Sequence, residues 1–482
     1  MASGGDGYPT PPTAGTQSTS VRQLSEFMLE RPPSCIEFIP KSGSSFGNLL
    51  VVGTYQLEPD EVGNEQADEG SITDPTPAGD LDPEAQKRKG SLSLLRLSPV
   101  TNNLEVLHTI ECDSAIYDLH FLGGAGKDYF AAASSTGTIS FYYVNEKVLA
   151  CPYKKENVHE IAIHPLFKAE VFSQTTIITF FQFIPAQSPH HGPLISATTN
   201  DGGMYLMEYC LDNFTVDLLN DGKPITEHKL PYTNTSDYAW CCAASAKHPS
   251  RIYSGGDGGD LIQDVISFGQ TELYSYDSRK KRSQSHKFHD AGVTAILPLT
   301  PGSLADEELL LTGSYDEFVR LYSTDDKKVL AKLKLDGGVY RLKSLGQVNW
   351  FGPQSTTYAI LTCCMHAGTK IIHVKGSKTG NWSIEVVGSL NVPGNDPNNL
   401  CYAAAARLSG PLGPTKQYQE KRLCVSGTFV DKKLVVWEFT HEFKRPEGDV
   451  LEGSQSTGIH VTTQEVYNGL RIPIKTGETA LN

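Results

Sequence analysis

The chain has 482 residues, 20% charged and 39% hydrophobic, a balance that fits a globular protein with a sizeable core. Its formal net charge of −14 argues against a generic binder of nucleic acid or of an anionic membrane surface. Its 10 cysteines show no CxxC or Cys/His zinc spacing, and Cys241–Cys242 and Cys363–Cys364 sit in apolar runs, so reduced thiols, a cytoplasmic setting and no bound metal are expected.

The N-terminus, "MASGGDGYPTPPTAGTQSTS", is small and polar and lacks the basic and apolar regions of a signal peptide. Residues 1–30 are expected to be disordered, with "VRQLSEFMLE" either a short helix or an extended lead-in. No run of about 18 apolar residues occurs, so no membrane span is expected. From "PPSCIEFIP" onward the chain is a series of short β-rich runs punctuated by Gly, Asp and Asn.

The first unit, "LLVVGTYQLE", is interrupted by an acidic, Pro- and Gly-rich insertion at 58–89, expected to be disordered, and resumes at "KGSLSLLRL". "FAAASSTGTISFYYV" and "LISATTNDGGMYLMEY" follow. Then come "RIYSGGDGG", "LLLTGSYDEFVRLYSTD", "ILTCCMHAGTKIIHV" and "CVSGTFVDKKLVVWEF". Each is an apolar strand ending in a small polar group, with a turn and a second strand after it. In the fourth unit "GGDLIQDVISFGQ" reads as an enlarged Asp-rich loop, with "LYSYD" as the later strand. Turn positions at 201, 257, 316, 366 and 431 are 50 to 65 residues apart, the WD40 pattern with longer loops. Seven such units predict an all-β, seven-bladed WD40-type β-propeller over 31–440, followed by a tail at 441–482 partly ordered on the rim.

The motifs "PPSCIEF", "LVVGTYQL", "YSGGDGG", "HDAGV", "TGSYDEFVRLY", "GGVYRLK" and "CMHAGTKI" occur in that order. Together they resemble the diphthine methyltransferase family, WD-repeat proteins of diphthamide biosynthesis, over roughly residues 32 to 440 outside the insertion. The run from "TGSYDE" to "CMHAG" is the most specific part. Tyr322 departs from the Trp usual in a WD40 repeat. Despite its name, the family is assigned a methylesterase activity. The resemblance therefore implies a monomeric hydrolase without a cofactor. It would act on diphthine methyl ester, on a modified histidine of elongation factor 2, without touching nucleic acid or membrane.

Ester hydrolysis needs an activated nucleophile, a base and donors for the oxyanion. Neither GxSxG nor HExxH is present in a supporting context. In a propeller, the turn after each blade's second strand lies on the face around the central channel. That geometry gathers Ser314–Glu317, Cys364–His366, Asp201, Asp257 and His289 on one polar face. Asp316 fits a structural pair with His289 of the same blade, as in other WD40 repeats. Glu317 is either a solvated turn residue or a catalytic base. Aligning "VRLY" with "TKII" places His366 where Asp316 stands, and Asp336 near the lead-in, as if acid and imidazole had changed places. Cys364, two residues before His366, is either its thiolate partner or a buried core thiol.

The implied substrate carries a trimethylammonium group, which aromatic faces and carboxylates hold. Tyr315, Tyr340 and Trp240 are the candidate walls, with Asp257 or Glu317 as the counter-charge. A non-catalytic WD40 scaffold for protein assembly is the competing reading, because fold alone does not fix function. A methyltransferase is disfavoured, since no glycine-rich loop lies between a strand and a helix to hold a nucleotide-like donor.

Overall fold

The computed structural model describes residues 17–40, 46–58, 87–123, 126, 128–149, 158–184, 192–230, 233–248, 250–266, 283–285, 288–299, 308–347, 355–377, 380–391, 398–408 and 417–444. The N-terminal 1–16, the bulk of the acidic insertion (59–86) and the tail beyond 444 lie outside them.

The described residues form seven antiparallel sheets. Blade one is built from Pro33–Phe38, Leu49–Thr54, Arg88–Leu97 and Leu104–Cys112. Blade two comprises Ile116–Phe121, Tyr129–Ser134, Thr138–Leu149 and Val158–Glu170. Blade three has Ile178–Ile184, Leu194–Thr199, Gly203–Cys210 and Thr215–Leu218, and blade four Ala239–Ala244, Arg251–Gly256, Leu261–Val265 and Ser283–Ser285. Blade five is Val293–Leu299, Leu309–Ser314, Phe318–Ser323 and Lys328–Lys334. Blade six is Arg341–Gln347, Ser355–Cys363, Thr369–Ser377 and Trp382–Leu390. Blade seven takes Ala403–Leu408, Gln417–Thr428 and Lys433–Lys444 and adds Gln17–Met28 as its outermost strand.

The first strand of each blade touches the first strand of the next, and the first strand of blade seven touches that of blade one, so the ring closes. The chain is a seven-bladed WD40-type propeller. Second strands such as "LLVVGT" and "LLLTGS" are buried along their whole length, because both faces of each sheet are covered by neighbouring blades. One inter-blade core holds Leu309, Leu311, Val319 and Leu321 of blade five against Tyr358, Ile360 and Ile372 of blade six.

Two sequence expectations change. Gln17–Met28 is a strand, not a disordered segment, and it ties the N-terminus to Lys433–Lys444. Its outward residues are solvated on the rim, so the apolar alternation that signals a buried strand is weak; Val21, Leu24 and Phe27 alone pack inward. Leu261–Val265, read as loop, is the third strand of blade four, while "LYSYD" lies outside the described residues. Its acid, Asp264, is buried and accepts a hydrogen bond from Thr226 Oγ1, which is how a strand tolerates that residue inside.

Candidate functional site

Five of the seven first strands begin with a bulge that leaves one residue out of the ladder: Ser34, Tyr117, Thr179, Trp240 and Thr294. A bulge turns its extra side chain away from the alternating pattern. Tyr340 and Tyr402 stand just ahead of the first strands of blades six and seven. At this one position around the ring, blades one, three and five carry a hydroxyl that bonds to the next blade: Ser34 Oγ to Ile116 O at 2.5 Å, Thr179 Oγ1 to Ala239 O at 2.5 Å, and Thr294 Oγ1 to Val339 O. The remaining blades carry an aromatic ring.

Those rings meet at the channel mouth. One arc runs Tyr117–Tyr55–Phe429–Tyr402–Tyr340, with centroid separations of 5.3, 5.9, 5.3 and 4.7 Å. A second arc stacks Tyr238 on Trp240 at 5.2 Å and sets Trp240 edge-on to Tyr315 at 5.6 Å. Arg88 lies between them: its Nε donates to Tyr55 Oη at 3.2 Å, and its charge also reaches Tyr117 and Tyr238. Asp257, exposed on the turn of blade four, accepts the indole N–H of Trp240 at 2.8 Å. Beside it Asp237 accepts the Gly258 N–H at 2.7 Å. Burial raises the Asp237 carboxyl above its ordinary range, and the charges of Asp257 and Asp260 add to the rise against that bond.

Below the mouth the channel is plugged by charge. Asp118 and His120, alternate residues of one strand, face Glu37 of blade one and Arg341 and Lys343 of blade six. His120 Nδ1 lies 2.8 Å from Glu37 Oε1 and its Nε2 3.0 Å from Asp118 Oδ2. Burial opposes charge on that imidazole, but Asp118 and then Glu37 outweigh it and raise its pKa to about 10. Asp118 and Glu37 stay below their usual values despite burial, chiefly through His120 and then Arg341 and Lys343 respectively. The Arg341 guanidinium lies 4.4 Å from the centre of the Tyr340 ring and 5.2 Å from that of Phe180 in blade three. The plug thus fixes Tyr340 from beneath.

The sequence candidates divide. His289 Nδ1 sits 2.9 Å from Asp316 Oδ2, with His289 Nε2 2.9 Å from Thr312 Oγ1 and Arg320 donating to Asp316 at 2.6 Å. This knot holds the turn, and Asp316 is well below the carboxylate range because His289 and its other donors outweigh burial. Tyr315, Trp240 and Asp257 come together at the mouth, and Tyr340 stands in the other arc. Glu317, at φ +69°, pairs with Lys334 at 2.8 Å on the outer strand of its blade. Cys364 is fully buried, shares a 3.3 Å hydrogen bond with Thr362 Oγ1, and has its thiol pushed up to about 12 by burial. It is therefore not placed as a thiolate nucleophile. His366 is exposed on the same turn, and no hydrogen-bond partner faces it among the described residues. Asp336 does not complete the exchange of acid and imidazole with it; it lies 3.5 Å from Lys370 Nζ.

Arg88, Tyr55, Tyr117, Tyr238, Tyr402, Phe429 and the plug residues escaped the sequence reading, which aligned second and third strands only. Aligning the first strands would have shown the ring position and the alternating pairs Asp118/His120 and Arg341/Lys343.

Two curated proteins are similar to this chain. A diphthine methyltransferase of Homo sapiens is 26% identical over 380 residues, 77% of this chain and 71% of that protein. One of Mus musculus is 24% identical over 400 residues, 81% and 70% of the two chains. The crystal structure of Saccharomyces cerevisiae Sqt1 matches 88% of this chain and 99% of its own, with a TM-score of 0.47 and 12% identity. No family model matches. The resemblance carried by the motifs thus extends to curated relatives over most of the chain.

Proposed function

We propose that this WD-repeat propeller, related along most of its length to the diphthine methyltransferases, hydrolyses the methyl ester of diphthine methyl ester on elongation factor 2. Water adds its oxygen to the ester carbonyl, methanol leaves, and the carboxylate and a proton remain. The similarity to two curated diphthine methyltransferases supports a role in diphthamide biosynthesis. The observation that carries the site assignment is the corner of Trp240, Tyr315 and Asp257, two aromatic walls with a carboxylate tied to one of them. A quaternary ammonium cannot donate a hydrogen bond, so aromatic faces and a nearby negative charge are what hold it. Asp237 adds a second carboxyl to this corner.

His366 is assigned as the base that receives the proton from water. Its ring is exposed on the turn between the second and third strands of blade six, and imidazole is the side chain most often used as a general base. Glu317 acts through the turn it shares with Tyr315, since its own carboxylate is held by Lys334. Hydrolysis is favoured over methyl transfer because the described residues are strands and turns, and a nucleotide-like donor calls for a glycine-rich strand–loop–helix crevice.

The test is single-turnover methyl release from elongation factor 2 carrying diphthine methyl ester, read by intact mass. Wild type, His366→Ala and Asp257→Asn are run together, with folding checked by circular dichroism. Wild type should remove the methyl ester. Asp257→Asn should need roughly tenfold more substrate for half-maximal rate, the scale of one lost charge contact. His366→Ala should slow the step by about a hundredfold or more. Release by both variants at the wild-type rate removes the residue assignment, and no release by wild type leaves the scaffold reading.

A further inference from the structure

Blades six and seven meet at two sulfur atoms beside the turn that carries His366. Cys363 ends the second strand of blade six, and Cys401 stands two residues ahead of the first strand of blade seven. Met365 and Cys401 form an isolated antiparallel bridge, in which Cys401 N donates to Met365 O at 3.0 Å. Thr369 lies opposite Cys363 in the sheet, and its Oγ1 is 3.1 Å from Cys401 Sγ. Both sulfurs belong to one apolar core, and the Cys363 thiol is hydrogen-bonded to the Cys401 sulfur. That bond, and after it Thr369, hold the Cys401 thiol below its ordinary range against burial. The same bond, and then burial, push Cys363 up. The neighbours in sequence are arranged differently: Cys363 and Cys364 enter separate cores, as do Cys241 and Cys242.

Two thiols already in contact on adjoining backbone segments can be bridged with little rearrangement. We propose that Cys363 and Cys401 are a site of reversible oxidation, with hydrogen peroxide as oxidant and a dithiol as reductant, and that their disulfide locks blade six to blade seven beside the His366 turn. The Cys401 sulfur attacks peroxide, the O–O bond breaks, and a sulfenic acid and one water result. The Cys363 sulfur then attacks Cys401, the S–O bond breaks, and a second water leaves. The two thiols give up two electrons and two protons, and peroxide becomes two waters. Both sulfurs are buried, so peroxide reaches them through local opening of the neighbouring turn, where His366 is exposed. The site stands on its own geometry, and its link to turnover rests on the methylesterase reading through His366.

The test uses the full chain, reduced and then titrated with hydrogen peroxide. Peptide mass spectrometry without reduction, with fragmentation between Cys363 and Cys364, should find Cys363 joined to Cys401. The bridge should form at least about tenfold faster than Cys424, a buried thiol of the same core, is oxidised. Dithiothreitol should restore both thiols. In the oxidised protein, hydrogen exchange over Cys364–Gly368 should slow by about tenfold and the thermal midpoint should rise. Cys401→Ser should abolish the bridge and Cys364→Ser should leave it. Oxidation of the pair no faster than that of Cys424 overturns the proposal, as does a bridge from Cys401 to Cys364 or a product that dithiothreitol does not reverse. These outcomes are read on wild type, so a variant that fails to fold does not obscure them. If the bridge forms and wild type releases no methyl ester in either state, the esterase reading falls and the redox site stands. If methyl ester is released and no bridge forms, the reverse holds.

Discussion

Lys343 and Ile36 lie 307 positions apart in the chain and two blades apart in the ring, yet Lys343 Nζ donates a 2.7 Å hydrogen bond to Ile36 O. Arg341, two residues earlier, reaches Thr179 O in blade three at 3.5 Å. Blades that share no sheet face are therefore joined across the axis. A network of cations and carboxylates crosses the axis of the ring.

Removing one member of that network strands its partners in a buried setting. Arg341→Met should cost about 3–5 kcal/mol, because Asp118 loses a cation that holds it ionised. Tyr340 also loses the guanidinium beneath it, so ligand affinity at the mouth should fall. Denaturant unfolding read against near-ultraviolet dichroism checks both, and a cost below about 1 kcal/mol would show that the plug adds little.

His120 gives the plug a direction in pH. Its folded pKa of about 10 lies above the ordinary 6.5, so its contribution is complete below pH 6.5 and declines as pH rises toward 10. Thermal midpoints of the wild type should fall across that window. His120→Gln should be less stable at pH 6 and should show a shallower fall; parallel curves for the two proteins would contradict the assignment.

The closing strand responds to acid. His441 Nδ1 pairs with Thr19 Oγ1 at 2.9 Å, beside His373, Glu420, Lys375 and Glu385. Burial, and then the proximity of His373, holds its pKa down to about 4, so stability present above pH 6.5 is lost as pH falls toward 4. The loss is at most about 3 kcal/mol for this group. Hydrogen exchange on Gln17–Met28 should quicken over that interval ahead of the other blades. Unchanged exchange there would show that the strand is held independently of His441.

Cys364 should behave as a core thiol. It should resist alkylation in the native protein and react on unfolding, and Cys364→Ala should cost about 1–2 kcal/mol while leaving methyl release within about twofold. Loss of turnover without loss of folding would return Cys364 to the candidate nucleophiles.

Residues whose neighbours are set by local backbone geometry were legible in the sequence. The second strands announce themselves because both faces are buried, and Asp316 could be paired with His289 because 27 residues separate them within one blade. Tyr315 and Asp257 are legible as turn residues of one face and Trp240 as an aromatic candidate, and the fold brings the three into contact. Cys364 and His366 were joined by strand alternation, but the strand ends at Cys363 and Met365 turns to φ +44°, so that periodicity stops one residue too early. The plug was decided by tertiary structure alone. Glu37 and Asp118 come from neighbouring blades and Arg341 from a blade further round the ring, and nothing in the spacing of the three encodes that meeting. Gln17–Met28 is the same case: its identity as a strand depends on an edge supplied by Lys433–Lys444, more than 400 residues away.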